Sequence, residues 1–494
     1  MLFNSVQFLV FFPIVVLIYA LIPRKARMPW LLVASYFFYM SWHAEYAILI
    51  ALSTVVTWGG ALVMDRVNGK GGRKSALVLT LVVNLGILFF FKYFDFAAQS
   101  LARILSVFHI TLAHKGFDVL LPVGISFYTF QALGYCIDVY RRDVAPEKNL
   151  LKYALFVSFF PQLVAGPIER SGNLLKQLDR IEEIRVRDTD RMVSGLTLML
   201  WGLFMKMVIA DRLAVTADTV FDRPYLYGTC GLLTGAIAFS LQIYCDFCAY
   251  STIARGAARV MGFTLTDNFD TPYFAQDIRD FWGRWHISLT AWFRDYLYIP
   301  LGGNRCSSLR KNLNILITFT VSGLWHGAAW NFVVWGALHG LYRILSDFLK
   351  KPVRALGDLL HIGRENFSYR LGRILITDFL VMIAWIFFRA ESIRGAFAYI
   401  VRLFTHPDPW TMFDGSLYKL GLSAFEAHVL LYALLILFAV DLMKHIKKIE
   451  LPEFLARQNL WFRWLVLIGM IMGIVVYGAY GVVFDSTQFI YFTF

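Results

Sequence analysis

Residues 231–250 of the chain read GLLTGAIAFSLQIYCDFCAY, with Asp246 as the one charged residue in the run. A helix of about 20 predominantly apolar residues matches the thickness of the hydrocarbon core of a bilayer. The stretch therefore predicts a membrane-spanning helix. By the same criterion, further spans are predicted at residues 46–64, 75–91, 313–324, 331–345, 374–388, 428–442 and 464–480.

The composition of the whole chain supports this interpretation. Of its 494 residues, 58% are hydrophobic and 16% are charged, against about 25% charged residues in an ordinary soluble domain. This excludes a soluble globular enzyme, a disordered chain and a nucleic-acid-binding domain. The net charge of +13 is explained by Lys and Arg in short cytoplasmic loops. We therefore expect an all-α, polytopic membrane protein that is surrounded by lipid and has no nucleic-acid partner.

Cysteine usage and processing signals leave this prediction unchanged. The five Cys do not indicate a disulfide framework because their number is odd. Cys245 and Cys248 form a CxxC inside an apolar segment, which we interpret as helix packing. Residues 8–22 carry no signs of a cleaved signal, so we expect a retained first helix. The sequence has no internal repeat and no low-complexity linker, which predicts a single domain over residues 1–494.

Several apolar segments are short or are broken by Gly, Pro and polar residues. Irregular backbone at membrane depth occurs only where protein or a water-filled cavity satisfies its polar groups. We therefore expect these segments to face inward, toward a site. They are residues 8–22, 29–42, 120–140, 153–168 and 196–209.

Clusters of Lys and Arg predict the orientation in the membrane. Basic loops at 24–27, 66–74 and 141–152 should be cytoplasmic, as should the Arg-rich stretch 267–312. The N-terminus and the segment 94–119 should then lie outside.

The sequence predicts particular conformations for two segments on the cytoplasmic side. Residues 153–168 should form a re-entrant segment. Residues 169–191 mix six basic and six acidic residues with spaced Leu and Ile, which predicts an amphipathic interfacial helix.

Three of the ten histidines stand apart, because the others lie in loops or at span ends. His326 and His339 lie inside an apolar run, and His286 lies among polar and aromatic residues. An ionisable group at membrane depth is a functional-site hypothesis, although a hydrogen-bonded core histidine is the commoner explanation. His326 has Trp325 on one side and Gly327 on the other. Desolvation there would favour the neutral imidazole, which can accept a proton as a general base. In one straight helix, His339 would point about 140° away from His326, so it could share the site only through a break or kink.

The segment 277–305 alternates carboxylates and guanidiniums with Trp, Phe and Tyr. One interpretation is an interfacial aromatic belt with snorkelling Arg. The other is a basic, aromatic-walled pocket for a phosphate-bearing donor, since the planar fork of Arg binds phosphate bidentately. Arg279, Arg284 and Arg294 are the candidate phosphate ligands. No Walker loop or dinucleotide fingerprint is present, and the spacing of the three histidines does not indicate a metal site.

The sequence resembles the membrane-bound O-acyltransferase superfamily, and within it the bacterial alginate O-acetyltransferase type. The stretches that carry the resemblance are LPVGISFYTFQALGYCIDVYR (121–141), FFPQLVAGPIER (159–170), LQIYCDFCAYSTIARGAARVMGF (241–263), NFDTPYFAQDIRDFWGRWHISLTAWFRDYLYIPLGGNR (268–305), SGLWHGAAWNFVVWGALHG (322–340) and the terminal FIYFTF. They occur in family order over nearly the whole chain.

The resemblance implies a multi-helix bundle around a central funnel, with a donor that enters from the cytoplasm. It implies that His326 is the family's histidine and that His286 is the second catalytic position, acting either as a base or as an orienting group. Supporting roles are expected for His339, Trp325 and Asn331.

The implied activity is acetyl transfer from acetyl-CoA to an extracytoplasmic polysaccharide such as an alginate-like exopolysaccharide or a cell-wall glycan. A separate extracytoplasmic acetyltransferase-like partner protein would take part, and the chain would lie in the bacterial inner membrane. Two alternatives remain open. One is an acyltransferase for a lipid or protein acceptor, and the other is a polysaccharide or lipid transporter. Against the transporter, the sequence gives no sign of an inverted repeat or of paired intramembrane carboxylates.

Overall fold

The structure, a computed structural model, describes residues 1–111, 116, 121–164 and 166–480. Within these ranges its regular elements are helices, and the bridged pair of extended residues is Phe269 with Trp285. Seven helices of this part of the chain are long and apolar enough to cross a membrane. The prediction of an all-α polytopic membrane protein is therefore confirmed. These helices are Ala44–Arg66, Lys70–Val107, Thr189–Asp222, Thr229–Met261, Phe367–Arg389, Ala424–Lys447 and Leu460–Tyr477.

Two of the predicted spans, and one of the segments predicted to be short or broken, differ from these seven helices. Residues 313–324 and 331–345 are helical, but the helices that contain them are not among the seven. The segment 196–209, predicted to be broken, lies in the continuous helix Thr189–Asp222. A π-helical turn at Met205–Ala210 interrupts its regular hydrogen bonding without ending it. Gly and polar residues in this segment were therefore wrongly interpreted as a break, since π turns occur within α-helices.

The described residues fall into two compact units, Met1–Leu196 with Ala254–Thr266, and Thr197–Ile253 with Asp267 onward. The first unit contains helices α1 to α9. They are α1 Val6–Leu21, α2 Arg27–Met40, α3 Ala47–Arg66, α4 Lys70–Leu88, α5 Phe94–Val107, α6 Ile125–Arg141, α7 Leu150–Ser158, α8 Phe160–Leu163 and α9 Ser171–Asp179.

Buried polar groups tie the central helices of the first unit together. The Tyr153 hydroxyl of α7 donates to Thr57 Oγ1 of α3 over 2.8 Å, and the Ser53 hydroxyl of α3 donates to Asn84 Oδ1 of α4 over 2.6 Å. In an apolar surrounding, these interhelical bonds give the buried hydroxyls of Tyr153 and Ser53 the partners that lipid cannot supply. They fix how α3 packs against α4 and α7.

Several short segments of the first unit agree with the sequence. Helices α1 and α2 have 16 and 14 residues, fewer than a full span needs. The segment 153–168 breaks at Phe159 between α7 and α8. His114 and the terminal FIYFTF lie outside the described residues, as does part of the segment 94–119 that was predicted to be exterior.

The predicted interfacial helix at 169–191 is wrong in its length. Ser171–Asp179 is a helix, with Leu174, Leu175 and Leu178 buried on one face, and the next helix begins only at Thr189. The chain then turns, and the carbonyls of Ile181 and Ile184 accept hydrogen bonds from Arg27 Nη1 at 3.3 and 2.9 Å. Those carbonyls are thus satisfied by a side chain instead of by a continuing helix.

Predicted cytoplasmic loops meet at one end of the first unit. Arg73 Nη2 donates to the carbonyls of Val139 and Tyr140 at 3.2 and 3.0 Å. Lys152 is paired with Glu147 and Asp179. Together with the contacts of Arg27, these bonds bring loops 24–27, 66–74 and 141–152 to the same end, as a shared cytoplasmic side requires. The sidedness itself stays a prediction.

Two helices, α10 Thr189–Phe204 and α12 Thr229–Met261, contribute residues to both units. The remaining helices lie in the second unit, which carries the candidate site. They are α11 Asp211–Asp222, α13 Ile278–Arg284, α14 Ile287–Phe293, α15 Ser308–His326, α16 Trp330–Leu359, α17 Phe367–Arg389, α18 Ile393–Thr405, α19 Ala424–Lys447, α20 Leu451–Ala456 and α21 Leu460–Tyr477.

Ion pairs define the two ends of the second unit. At one end, Lys444 Nζ of α19 lies 2.9 Å from Asp267, and Arg373 of α17 lies 3.3 Å from Asp277. At the other end, Arg389 of α17 is paired with Asp218 of α11 at 2.5 Å. The segment 267–284, which leads to the site, therefore lies at the end of the unit that holds the C-terminus of α19.

Candidate active site

Helices α15 and α16 form a hairpin whose two arms touch through glycine. Gly323 and Gly336 lie so close that a Cβ on either would be 3.1 Å from the other's Cα. The chain leaves the helical conformation at Gly327, whose φ and ψ are −153° and 145°. At Trp330 the second arm begins. His326 is therefore the last residue of one helix at the tip of a broken segment.

The imidazole of His326 is enclosed by aromatic rings. His326 is only 5% exposed. Its ring centroid lies 5.0 Å from that of Trp325, 5.1 Å from that of Trp335 and 5.6 Å from that of Phe388, each in an edge-on arrangement. Trp325 thus contacts His326, and its supporting role stays a prediction.

His286 reaches the same place from the segment before α14. Its residue is fully buried, and its ring packs edge-on against Phe247 of α12 with centroids 4.6 Å apart. The ring centroids of His286 and His326 are 6.4 Å apart. Burial lowers the pKa of the His286 imidazole to about 3, because an imidazolium there would lose its hydration. His286 is therefore neutral at physiological pH.

His339 lies one ring away from His326. Its centroid is 5.0 Å from that of Trp335, which in turn contacts His326. The sequence predicts that His339 approaches His326 only if the helix is broken between them. The chain is broken there, between α15 and α16. Trp282 Nε1–H donates to Nδ1 of His339 over 3.3 Å, which requires the proton of a neutral ring to be on Nε2. His339 thus lines the same aromatic cluster, and its supporting role stays a prediction.

Asn331 acts on the end of α17. Its Nδ2 donates to the carbonyls of Phe387 and Ala390 at 3.4 and 3.0 Å. Carbonyls at a helix C-terminus have no partner within the helix, and Asn331 supplies one. Because Phe388 lies between these two residues and contacts His326, Asn331 helps to fix one wall of the histidine site.

The three arginines predicted to bind phosphate differ in their surroundings. Arg279 and Arg294 are exposed, and Arg294 pairs with its neighbour Asp295 at 2.6 Å. Arg284 is half-buried and pairs with Asp280 at 2.7 Å, and its Nη1 lies 3.4 Å from Nδ1 of His445. The guanidinium of Arg284 therefore already has a carboxylate partner, whereas Arg279 is open to solvent. Among the described residues no group of three or more His, Cys, Asp or Glu could hold a metal ion.

A buried charge cluster escaped the sequence analysis. Lys206 Nζ lies 2.9 Å from Asp211 and 2.8 Å from Asp246, and the side chains of Lys206 and Asp246 are each only 3% exposed. The expectation of no paired intramembrane carboxylates is therefore wrong. Asp246, the one charged residue of the run 231–250, was a signal of this cluster. Its partners could not be read from the sequence because they lie far from it along the chain.

Comparison with known proteins identifies the family. A sequence profile described as MBOAT, membrane-bound O-acyltransferase family, matches residues 144–385. The chain is 37% identical over 447 residues to a protein named probable alginate O-acetylase from Azotobacter vinelandii, an alignment that covers 88% of this chain and 84% of the relative. The chain belongs to the membrane-bound O-acyltransferase family. It is therefore an enzyme, an O-acyltransferase with multiple membrane spans.

Other members of the membrane-bound O-acyltransferase family are similar to this chain over most of its length. A protein of Pseudomonas aeruginosa, also named probable alginate O-acetylase, is 38% identical over 88% of this chain and 81% of its own. A peptidoglycan O-acetyltransferase of Helicobacter pylori is 33% identical over 80% of this chain and 78% of its own. The matched segment 144–385 contains both His286 and His326.

Proposed function

We propose that this O-acyltransferase moves an acetyl group from cytoplasmic acetyl-CoA across the bacterial inner membrane for O-acetylation of an extracytoplasmic polysaccharide. The observation that carries the proposal is the pair of buried imidazoles, His286 and His326, with ring centroids 6.4 Å apart inside an aromatic cluster. At this separation both rings can reach one small reacting group. The two units would act together as one O-acyltransferase domain.

His326 is the proposed general base. It takes the proton of the acceptor hydroxyl while the hydroxyl oxygen forms a bond to the thioester carbonyl carbon. The C–S bond then breaks, and the CoA thiolate leaves with the proton that His326 had taken. General-base catalysis contributes typically 10² to 10⁴-fold to such a step. The aromatic rings of Trp325, Trp335 and Phe388 would exclude water that could otherwise hydrolyse the thioester.

His286 is the proposed donor to the oxyanion that forms on the carbonyl oxygen. A neutral imidazole carries one N–H, and burial keeps His286 neutral because the pKa of its ring is lowered to about 3. A fixed donor in a dry site stabilises a developing oxyanion more than water does. His286 would thus orient and stabilise, and His326 would exchange the proton.

The donor's phosphates would be held by arginines at the end of the unit where α19 terminates. Arg279 and Arg294 are exposed, and Arg284 is held in place by Asp280. A row of guanidiniums on the cytoplasmic face would attract the anionic donor and fix its register.

The acetyl specificity and the glycan acceptor are supported by the relatives' names. These are alginate O-acetylase and peptidoglycan O-acetyltransferase. The acceptor would be an alginate-like exopolysaccharide or a cell-wall glycan, reached through an extracytoplasmic acetyltransferase-like partner protein. That protein could accept the acetyl group on a side chain before the sugar does.

A donor comparison on the purified protein tests this proposal. Wild-type protein in lipid vesicles is incubated with radiolabelled acetyl-CoA or palmitoyl-CoA, and free CoA and labelled products are measured. His326→Ala serves as the background control. We expect consumption of acetyl-CoA to exceed that of palmitoyl-CoA at least tenfold and to depend on His326. Preference for palmitoyl-CoA would indicate a lipid or protein acyltransferase. Consumption of neither donor would favour the transporter and contradict the proposal.

A further inference from the structure

The backbone at His286 has an unusual conformation. Its φ and ψ are 43° and 54°, in the left-handed region, which non-glycine residues seldom adopt. Such a conformation persists only where the surrounding structure imposes it, and residues of this kind cluster at functional sites. Some neighbouring group must therefore hold the turn at His286.

His286 also stands at the position that normally caps a helix. It immediately precedes α14, and a residue there usually offers a side-chain oxygen to the first backbone N–H groups of the helix. His286 makes no such bond with its side chain. The first N–H groups of a helix still need acceptors, because they have none within the helix.

Asn268 provides both acceptors from a distant segment. Its backbone carbonyl accepts from the N–H of Ile287 over 3.1 Å, and its Oδ1 accepts from the N–H of Ser288 over 3.2 Å. Since a backbone N–H can only donate, the amide atom that faces Ser288 must be the oxygen. Asn268 is fully buried, so water cannot replace these bonds.

The segment that carries Asn268 is itself anchored. Phe269 and Trp285 form an antiparallel bridge, and the N–H of Asp270 donates to the Arg284 carbonyl over 3.0 Å. On its other side, Lys444 Nζ donates to the Phe269 carbonyl over 2.7 Å. Asn268 is thus a fixed point against which the turn at His286 is held.

We propose that Asn268 is a positioning residue for His286. Asn268 accepts hydrogen bonds from the first N–H groups of α14 in place of a neighbouring side-chain cap, and it imposes the left-handed turn at His286. The imidazole of His286 is then available to the reacting group. This inference rests on the proposed function for its effect on the rate. The effect on the backbone of the turn is independent of that function and can be measured separately.

The first arm of the test is hydrogen exchange of the full-length protein, read by mass spectrometry. In Asn268→Ala, a peptide that covers residues 285–290 should exchange about tenfold faster, because the buried N–H of Ser288 loses its acceptor. The matched control is Asn459→Ala, which removes a side-chain cap of the same chemistry from α21. That control should leave the 285–290 peptide unchanged. Unchanged exchange in Asn268→Ala would overturn the proposal.

The second arm is steady-state acetyl transfer from acetyl-CoA. Asn268→Ala should lower kcat at least tenfold and leave KM for acetyl-CoA within about twofold, because the donor contacts are intact. Asn268→Asp should retain clearly more of kcat than Asn268→Ala. It keeps the acceptor oxygen, and the Nδ2 atom that it replaces has no hydrogen-bond partner among the described residues. Equal loss of kcat in Asp and Ala variants, or a loss confined to KM, would overturn the positioning role.

The two arms separate the possible failures. If hydrogen exchange in Asn268→Ala changes as expected while the wild-type protein transfers no acetyl group, the effect of Asn268 on the turn is supported and the proposed function is contradicted. If Asn268→Ala does not fold, the comparison is made between Asn268→Asp and Asn268→Ser, whose shorter side chain reaches Ser288 less well. Slower exchange and a higher kcat in the Asp variant than in the Ser variant support the positioning role of Asn268. The reverse order contradicts it.

Discussion

Gly323 and Gly336 place the two arms of the α15–α16 hairpin in direct backbone contact. A Cβ on Gly336 would lie 2.2 Å from the Phe319 carbonyl oxygen and 3.1 Å from the Cα of Gly323. No rotamer change relieves a clash with backbone, so the helices would have to separate. Because His326 ends one arm and Trp335 lies on the other, their spacing depends on this contact.

We predict that Gly336→Ala lowers both stability and activity. Overpacking of this kind typically costs about 1–3 kcal/mol, and the shift of α15 would carry His326 away from His286. The measurement is acetyl transfer per folded molecule, together with the thermal unfolding midpoint. Gly357→Ala in the same helix is the control, since nothing lies within 4 Å of its added Cβ. Equal behaviour of the two variants would show that the glycine contact does not set the site.

The Lys206 cluster gives a second prediction. Lys206→Met should destabilise the protein by about 3–5 kcal/mol, because it leaves the buried carboxylates of Asp211 and Asp246 unneutralised. Adding Asp211→Asn and Asp246→Asn should restore most of the loss. Thermal unfolding in detergent measures both effects, with Lys351→Met at an exposed position of α16 as the control. A triple variant no more stable than Lys206→Met would contradict the electrostatic explanation.

Burial of His286 predicts a pH dependence of stability. The pKa of its ring is about 3 in the folded protein, against an ordinary value of 6.5. The unfolded chain therefore binds the proton more readily, and stability should fall as the pH drops below about 6.5. The loss should be at most about 1.4 kcal/mol per pH unit. Unfolding midpoints from pH 7 to pH 4.5 should decline less steeply in His286→Asn than in wild type. If the unfolding midpoints of His286→Asn and wild type declined in parallel with pH, protonation of His286 would not contribute to the pH dependence of stability.

The sequence predicted the elements of the site better than their contacts. The apolar run around Trp325 and His326 sufficed to single out a desolvated histidine, but its position at the last residue of α15 came from the structure. The sequence could not reveal that Phe247 packs on His286, because that contact depends on how α12 meets the segment before α14. The capping by Asn268 was equally invisible, since a helix cap is ordinarily sought in the residue next to the helix.

The errors in the fold have similar causes. Mixed charges over 169–191 suggested one amphipathic helix, yet Arg27 binds the carbonyls of Ile181 and Ile184 and stabilises a turn. The segment 196–209 was predicted to be short or broken, yet a π turn at Met205–Ala210 keeps its helix continuous. In each case a partner distant along the chain, or a rare helix geometry, decided the local structure.

Sidedness supplies a fourth prediction. With the five native Cys replaced, a single Cys at Arg310 should resist an impermeant thiol reagent added to spheroplasts, because Arg-rich loops stay in the cytoplasm. A single Cys at Asp414 should react. Asp414 is exposed and lies between α18 and α19, at the end of α19 opposite Lys444. Labelling of Arg310→Cys from outside would invert the topology, and the proposed entry of acetyl-CoA through the basic face would be excluded.

The central claim is that His326 is the base for acetyl transfer, and one measurement tests it most directly. Acetyl groups released by mild alkali from the cell-surface polysaccharide are compared between cells that carry wild type, His326→Ala and His428→Ala, at equal amounts of protein in the membrane. His428 is an exposed histidine of α19. Loss of a general base should lower acetylation by about 10²-fold or more, while His428→Ala should match wild type. Acetylation by His326→Ala above about a tenth of the wild-type level would contradict the claim.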